Sequence, residues 1–82
     1  MKLPRDISGQ QLTSLLRKYG YQITRQTGSH IRLTSDASGT KHHVTIPAHR
    51  HLKVGTLSGI LADVAAYLEI SREDLAKDLF GK

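Results

Sequence analysis

The sequence contains no cysteine and no tryptophan, one phenylalanine and two prolines in 82 residues. Without cysteine, disulfide staples and thiolate metal sites are excluded. No stretch approaches the roughly 18 consecutive apolar residues that a membrane-spanning helix needs. The opening Met1-Lys2-Leu3-Pro4-Arg5-Asp6 lacks the apolar centre of a secretory signal. A soluble cytoplasmic protein with no membrane partner is expected. Carboxylates are scarce where basic charge is densest. Residues 1–60 carry nine Lys/Arg against two Asp/Glu, and residues 61–82 carry three against five. The chain as a whole has a net charge of +5. A basic front with an acidic tail points to a polyanion as partner, nucleic acid before others. The same scarcity removes the paired carboxylates that a glycosidase requires.

Eighty-two residues are expected to form one small domain, 1–82, with a single layer of helices on one sheet face. Such a core leaves little room for a deep cavity, so chemistry belongs on an open face and no small-molecule cofactor is expected.

Ser8 and Gln11 form the pattern of a capping box, flanked by Ile7 and Leu12 as a hydrophobic staple. Leu12, Leu15, Leu16 and Tyr19 follow at helical spacing and Gly20 stops the run, so a helix is expected over residues 8–19. From Tyr21 the period becomes two. Tyr21 and Ile23 are assigned inward; Gln22, Thr24 and Gln26 are assigned outward. Thr27-Gly28-Ser29 reads as a tight turn, His30–Thr34 as a second strand, and residues 36–40 as a second turn. A third strand, Lys41 to Ile46, ends at Pro47, which has no N–H to donate to a ladder. The result is a three-stranded antiparallel meander with one face on helices and one face in water. Leu57, Ile60, Leu61, Val64, Ala65 and Leu68 then make an amphipathic stripe, with Gly55 or Thr56 in the first turn. Gly59 is expected to let this helix approach the sheet closely. Ser71 with Asp74, and Ile70 with Leu75, carry the capping-box and staple signals of a last helix. The order is α-β-β-β-α-α.

The wet face has His30, Arg32 and Thr34 from the second strand, and Lys41, His43 and Thr45 from the third. No carboxylate joins them. Histidine both accepts and donates a proton near neutrality, so the five histidines are the candidate catalysts. Pairing Leu33 with Val44 and Ile31 with Ile46 places His30 opposite Pro47. His49 then emerges near the same end of the sheet, either as a second acid–base group or as part of a basic loop. Two imidazoles beside a phosphodiester can divide the activation of a ribose 2′-hydroxyl from protonation of the leaving 5′-oxygen. His42 and His43 point to opposite faces and no carboxylate completes a shell near His49-Arg50-His51, so no metal is expected. His49, Arg50, His51 and Lys53 lead into a helix N-terminus, a seat for phosphate. No P-loop pattern is present, and Ser29 lacks the acidic partner of an activated nucleophile.

Gly28-Ser29-His30, Val44-Thr45-Ile46-Pro47-Ala48-His49, Leu52-Lys53-Val54-Gly55-Thr56-Leu57 and Ile60-Leu61, in this order and spacing, resemble the HicA toxins, also called YcfA-like proteins. The resemblance extends over nearly the whole chain, including the opening helix and the start of the last. It implies an α+β, double-stranded-RNA-binding-domain-like fold and the activity of an mRNA interferase. It also implies a HicB-type antitoxin that covers the active site. The family's histidine maps onto His30 and its glycine onto Gly28. Pro47, His49, Gly55, Thr56 and Leu57 match the second motif, which shapes and supports the site. Val54 stands where the family commonly has proline, which leaves the helix start less rigidly defined.

The expected function is therefore that of the toxin of a type II toxin–antitoxin pair, a metal-independent mRNA endoribonuclease. His30 is the expected catalyst. Gly28, Ser29, Pro47, His49, Gly55 and Thr56 are expected to shape the site. Arg32, Lys41, His43, Arg50 and Lys53 are expected to hold RNA. A non-catalytic RNA-binding module of the same fold is the alternative. A third reading is an interaction module whose basic face meets an acidic protein.

Overall fold

The computed structural model describes residues 3–81. The first helix, α1, spans Gly9–Leu16 and continues as one 3₁₀ turn, Arg17–Tyr19. Its start is the expected capping box. The Gln11 amide donates to Ser8 Oγ (3.0 Å), and the Ser8 amide donates to Gln11 Oε1 (2.8 Å). Both bonds satisfy amides that the first turn leaves without partners. Gly20, at φ 83°, closes the 3₁₀ turn in the left-handed conformation that glycine adopts without a Cβ clash. Strands β1 (Gln22–Thr27), β2 (His30–Ser35) and β3 (His42–Pro47) form an antiparallel sheet in the order β1-β2-β3. Helices α2 (Val54–Leu68) and α3 (Arg72–Phe80) complete the α-β-β-β-α-α order of a double-stranded-RNA-binding-domain-like fold.

One hydrophobic core joins the three helices to β2 and β3. Leu12 and Leu16 from α1 meet Ile31, Leu33, Val44 and Ile46 from the sheet. Leu57, Leu61 and Val64 close it from α2, and Leu75 from α3. Each fully buried leucine or isoleucine contributes roughly 1.5–3 kcal/mol by leaving water. The helical stripe from Leu57 to Ala65 is buried as its spacing requires. No helix among the described residues is by itself long and apolar enough to cross a membrane.

Four expectations change in the structure, one of them the outward assignment of Gln26, which pairs with the inward Ile31. Ile23 pairs with the inward Leu33 but stays 41% exposed. Both α1 and α2 pack over β3, so the helix side of β1 has little above it. Gly59 is not a close-packing glycine, because a Cβ built there meets open space. That task falls to Gly9, where a Cβ would lie 2.0 Å from the Pro47 carbonyl oxygen. The fourth change is in α3. The Asp74 amide donates to Ser71 Oγ (2.9 Å), while the return bond that would complete the box is not made.

Candidate nucleic-acid interface

Residues paired across an antiparallel sheet share a face, so the register arranges the open face in rows. The first row is Thr27, His30 and Pro47; His30 stands opposite Pro47, as the pairing of Leu33 with Val44 requires. The second row is Arg25, Arg32 and Thr45. The third joins Thr34 to His43, with Thr24 beside them. Within it the two threonine hydroxyls lie 2.8 Å apart, and Thr34 Oγ1 is 2.8 Å from His43 Nδ1.

The second row exists because of a β-bulge. The register of β1 shifts between Ile23 and Arg25, so the strand's alternation changes phase. Strict alternation would keep Gln26 on the open face. Instead Gln26 pairs with the inward Ile31, and Arg25 comes out beside Arg32. The three strands contain no Asp or Glu, and neither arginine has a carboxylate partner among the described residues. Two like charges directly opposite each other cost about 0.2–1 kcal/mol.

His30 is exposed, and its side chain makes no hydrogen bond among the described residues. It leaves a two-residue turn in which Gly28 has φ 47° and Ser29 does not have positive φ. That combination matches the requirement of a II′ hairpin loop, where only the first central residue needs glycine. A Cβ at Gly28 would meet nothing, so this glycine serves conformation, not packing.

Beyond Pro47 the chain is tied on both sides. The Ala48 amide donates to the Ser29 carbonyl (2.7 Å), and the Gly9 amide donates to the His49 carbonyl (2.9 Å). The Leu52 amide then donates to the Ile7 carbonyl (2.8 Å). Residues 29 and 48 are thereby neighbours. His49, with Arg50 and His51, lines a groove of about 620 Å³ against Asp6, Ser8 and Gln11 of the α1 entry. Lys53 is the N-cap of α2 but makes no side-chain capping bond, and no acidic residue lies in that first turn. Gly55 and Thr56 are exposed in that turn, whose amides have no intrahelical partners at the positive end of the helix.

A family model described as the HicA toxin of bacterial toxin–antitoxin systems matches residues 9–65. The match runs from the first residue of α1 through the whole sheet and most of α2. The chain belongs to the HicA toxin family. It is accordingly the toxin member of a toxin–antitoxin system, with an antitoxin as partner. No curated protein and no solved structure gives a significant match.

The other histidine of the pair at the start of β3 has a different environment in this toxin. His42 turns to the helix side, where Nδ1 lies 2.7 Å from the Tyr21 hydroxyl and Nε2 3.1 Å from Asp63 Oδ1. Its ring stacks on Tyr67, with centroids 4.6 Å apart and planes 11° apart. The Tyr67 hydroxyl in turn accepts from the Ser38 amide (3.0 Å) and donates to the Thr40 carbonyl, holding the β2–β3 turn on α2. Burial first, and then the nearby Tyr67 and Asp63, push the Tyr21 phenol well above its ordinary value. His42 is thus committed to the fold, and His43 alone of the two reaches the open face. Lys41 precedes β3 by one residue and is exposed. Arg25 and Gly9 are the two positions that sequence reasoning missed. A bulge carries no period-2 signal, and the close approach of Gly9 is set by the partner backbone. No three His, Asp or Glu side chains converge on a common point among the described residues.

Proposed function

We propose that this HicA toxin is a metal-independent endoribonuclease that cleaves mRNA in the cytoplasm and so inhibits translation. The observation that carries the reading is the setting of His30. It is an exposed imidazole without an internal partner, on a sheet face with two arginines and no carboxylate. A divalent cation would need oxygen ligands that this face does not supply. An imidazole beside arginines suits a phosphodiester that carries its own nucleophile, the ribose 2′-hydroxyl.

In this reaction neutral His30 takes the 2′-hydroxyl proton as O2′ bonds to phosphorus. The bond from phosphorus to the 5′-oxygen breaks, and that oxygen leaves with a proton from water or from a second imidazole. His49 is the candidate for the second imidazole. Arg32, Lys41, His43, Arg50 and Lys53 bind phosphates, positioning the strand without reading its sequence. Gly28, Ser29 and Pro47 hold His30 in place, while Gly55 and Thr56 present amides at the α2 N-terminus. A HicB-type antitoxin is the proposed partner, blocking RNA by covering the open face.

Purified His30→Ala incubated with RNA in EDTA tests the reading. The native toxin should cleave under these conditions and the variant should not. Equal cleavage by the variant would remove His30 from the mechanism, and cleavage only on addition of a metal would end the metal-free claim. Salt-sensitive RNA binding by the native toxin without any product would favour the non-catalytic module.

A further inference from the structure

We infer that Arg25 and Arg32 form a two-arginine clamp for one RNA backbone phosphate, adjacent to the phosphate that meets His30. The inference rests on RNA as the ligand of the open face, and not on His30 being the catalyst.

The clamp is a product of the bulge. Without the register shift between Ile23 and Arg25, Arg25 would face the helix side of β1 and Arg32 would stand opposite an uncharged residue. With it, two arginines are directly paired across adjacent strands and share the open face. Both residues are exposed, and neither has a carboxylate partner among the described residues. A bulge interrupts the ladder, and like charges placed opposite each other repel. An anion bound between them removes the repulsion. Guanidinium forks match phosphate oxygens in a bidentate geometry, so two of them can enclose one phosphate.

Placement along β2 gives the clamp its register. Arg32 follows His30 by two residues on the same face, about 7 Å along a strand. That step is comparable with the separation of neighbouring phosphates in a nucleic-acid chain. Thr45, the third member of the row, adds a hydroxyl donor beside Arg32. The β1 side is the open edge of the three-stranded order, so RNA can pass across Arg25 without meeting another strand.

The probe is a short single-stranded RNA with 2′-O-methyl groups throughout, which binds but offers no 2′-hydroxyl for cleavage. Its Kd is measured against salt for the native toxin, Arg25→Thr, Arg32→Thr and the double variant. Each single change should weaken binding about tenfold, the loss of a charge-assisted phosphate contact. The double change should weaken it by clearly less than the product of the two, because both arginines serve one phosphate. Arg25→Lys should recover only part of the loss, since it keeps the charge without the fork. Lys77→Ala, on α3, should bind as the native protein does. Thermal melts establish that each variant is folded. An unchanged Kd in Arg25→Thr overturns the clamp, and strictly multiplicative losses replace it with two separate charges. If native toxin does not bind the RNA, the clamp and the RNA reading fall together. If His30→Ala still cleaves while Arg25 and Arg32 remain coupled, only the catalytic assignment falls.

Discussion

Gly9 lies directly against Pro47, so that a Cβ on Gly9 would stand 2.0 Å from the Pro47 carbonyl oxygen. Pro47 is the cross-strand partner of His30. The first residue of α1 is therefore packed on the strand end that faces the candidate catalytic histidine. The Gly9 amide, bonded to the His49 carbonyl, extends the same seam.

Gly9→Ala should destabilise the protein strongly. The obstacle is backbone, which cannot rotate aside like a side chain, so α1 would have to lift off the end of β3. Overpacking of this kind costs about 1–3 kcal/mol or more. Urea unfolding of the purified variant measures it, and a midpoint equal to that of the native protein would refute the packing account. The same variant should lose RNA cleavage more steeply than a helix-surface change of equal stability, because the seam carries Pro47 and residues 48–49.

Glu69→Gly should stabilise the protein. Glu69 ends α2 at φ 59° and ψ 40°, and it alone among the described non-glycine residues has positive φ. The Glu69 amide bonds to the Ala66 carbonyl (3.3 Å) and the Ile70 amide to the Ala65 carbonyl (3.1 Å), the paired bonds of a Schellman ending. Glycine takes this conformation without the Cβ clash that costs other residues roughly 1–2 kcal/mol. The larger entropy of glycine in the unfolded chain offsets part of that gain. A rise of several degrees in Tm is expected for a domain of this size, near 4–8 °C per kcal/mol. A fall in Tm would contradict it.

Alkaline pH should unfold the protein as its tyrosines ionise. Burial, then the hydrogen bond and charge of Asp78, push Tyr19 up to about 12 from 10.0. Tyr21 is raised further, chiefly by burial. A phenol whose folded value is raised keeps its proton longer when folded. Its contribution to stability is complete below about pH 10 and lost as pH rises through the folded value. An ultraviolet titration should show Tyr19 and Tyr21 ionising together with loss of circular dichroism. Early ionisation of all tyrosines in a still-folded protein would show that these phenols are not held by the fold.

Much of the architecture was readable because its signals are local. The Ser8–Gln11 box, the Gly28 turn and the Leu57–Val64 stripe each depend on residues a few positions apart, and all lie where their chemistry puts them. The β2–β3 register was readable too, since sliding it by one would turn Val44 and Ile46 out into water. That register also brought His30 opposite Pro47. The edge strand was less legible. Only Tyr21 and Ile23 marked its inner face, too few to reveal that the alternation breaks before Arg25.

The sequence by itself determined the order of elements, the inner faces of β2, β3 and α2, and a basic open face without carboxylates. It did so because hydrophobic period, caps and turn residues act over short distances. Only the tertiary structure decided that Gly9, not Gly59, is the closely packed glycine, because the decisive contact is with a backbone 38 positions away. It also decided that His42 binds Tyr21 and Asp63, and that Arg25 stands beside Arg32. Those relationships depend on where separate elements meet and on one extra residue in a strand.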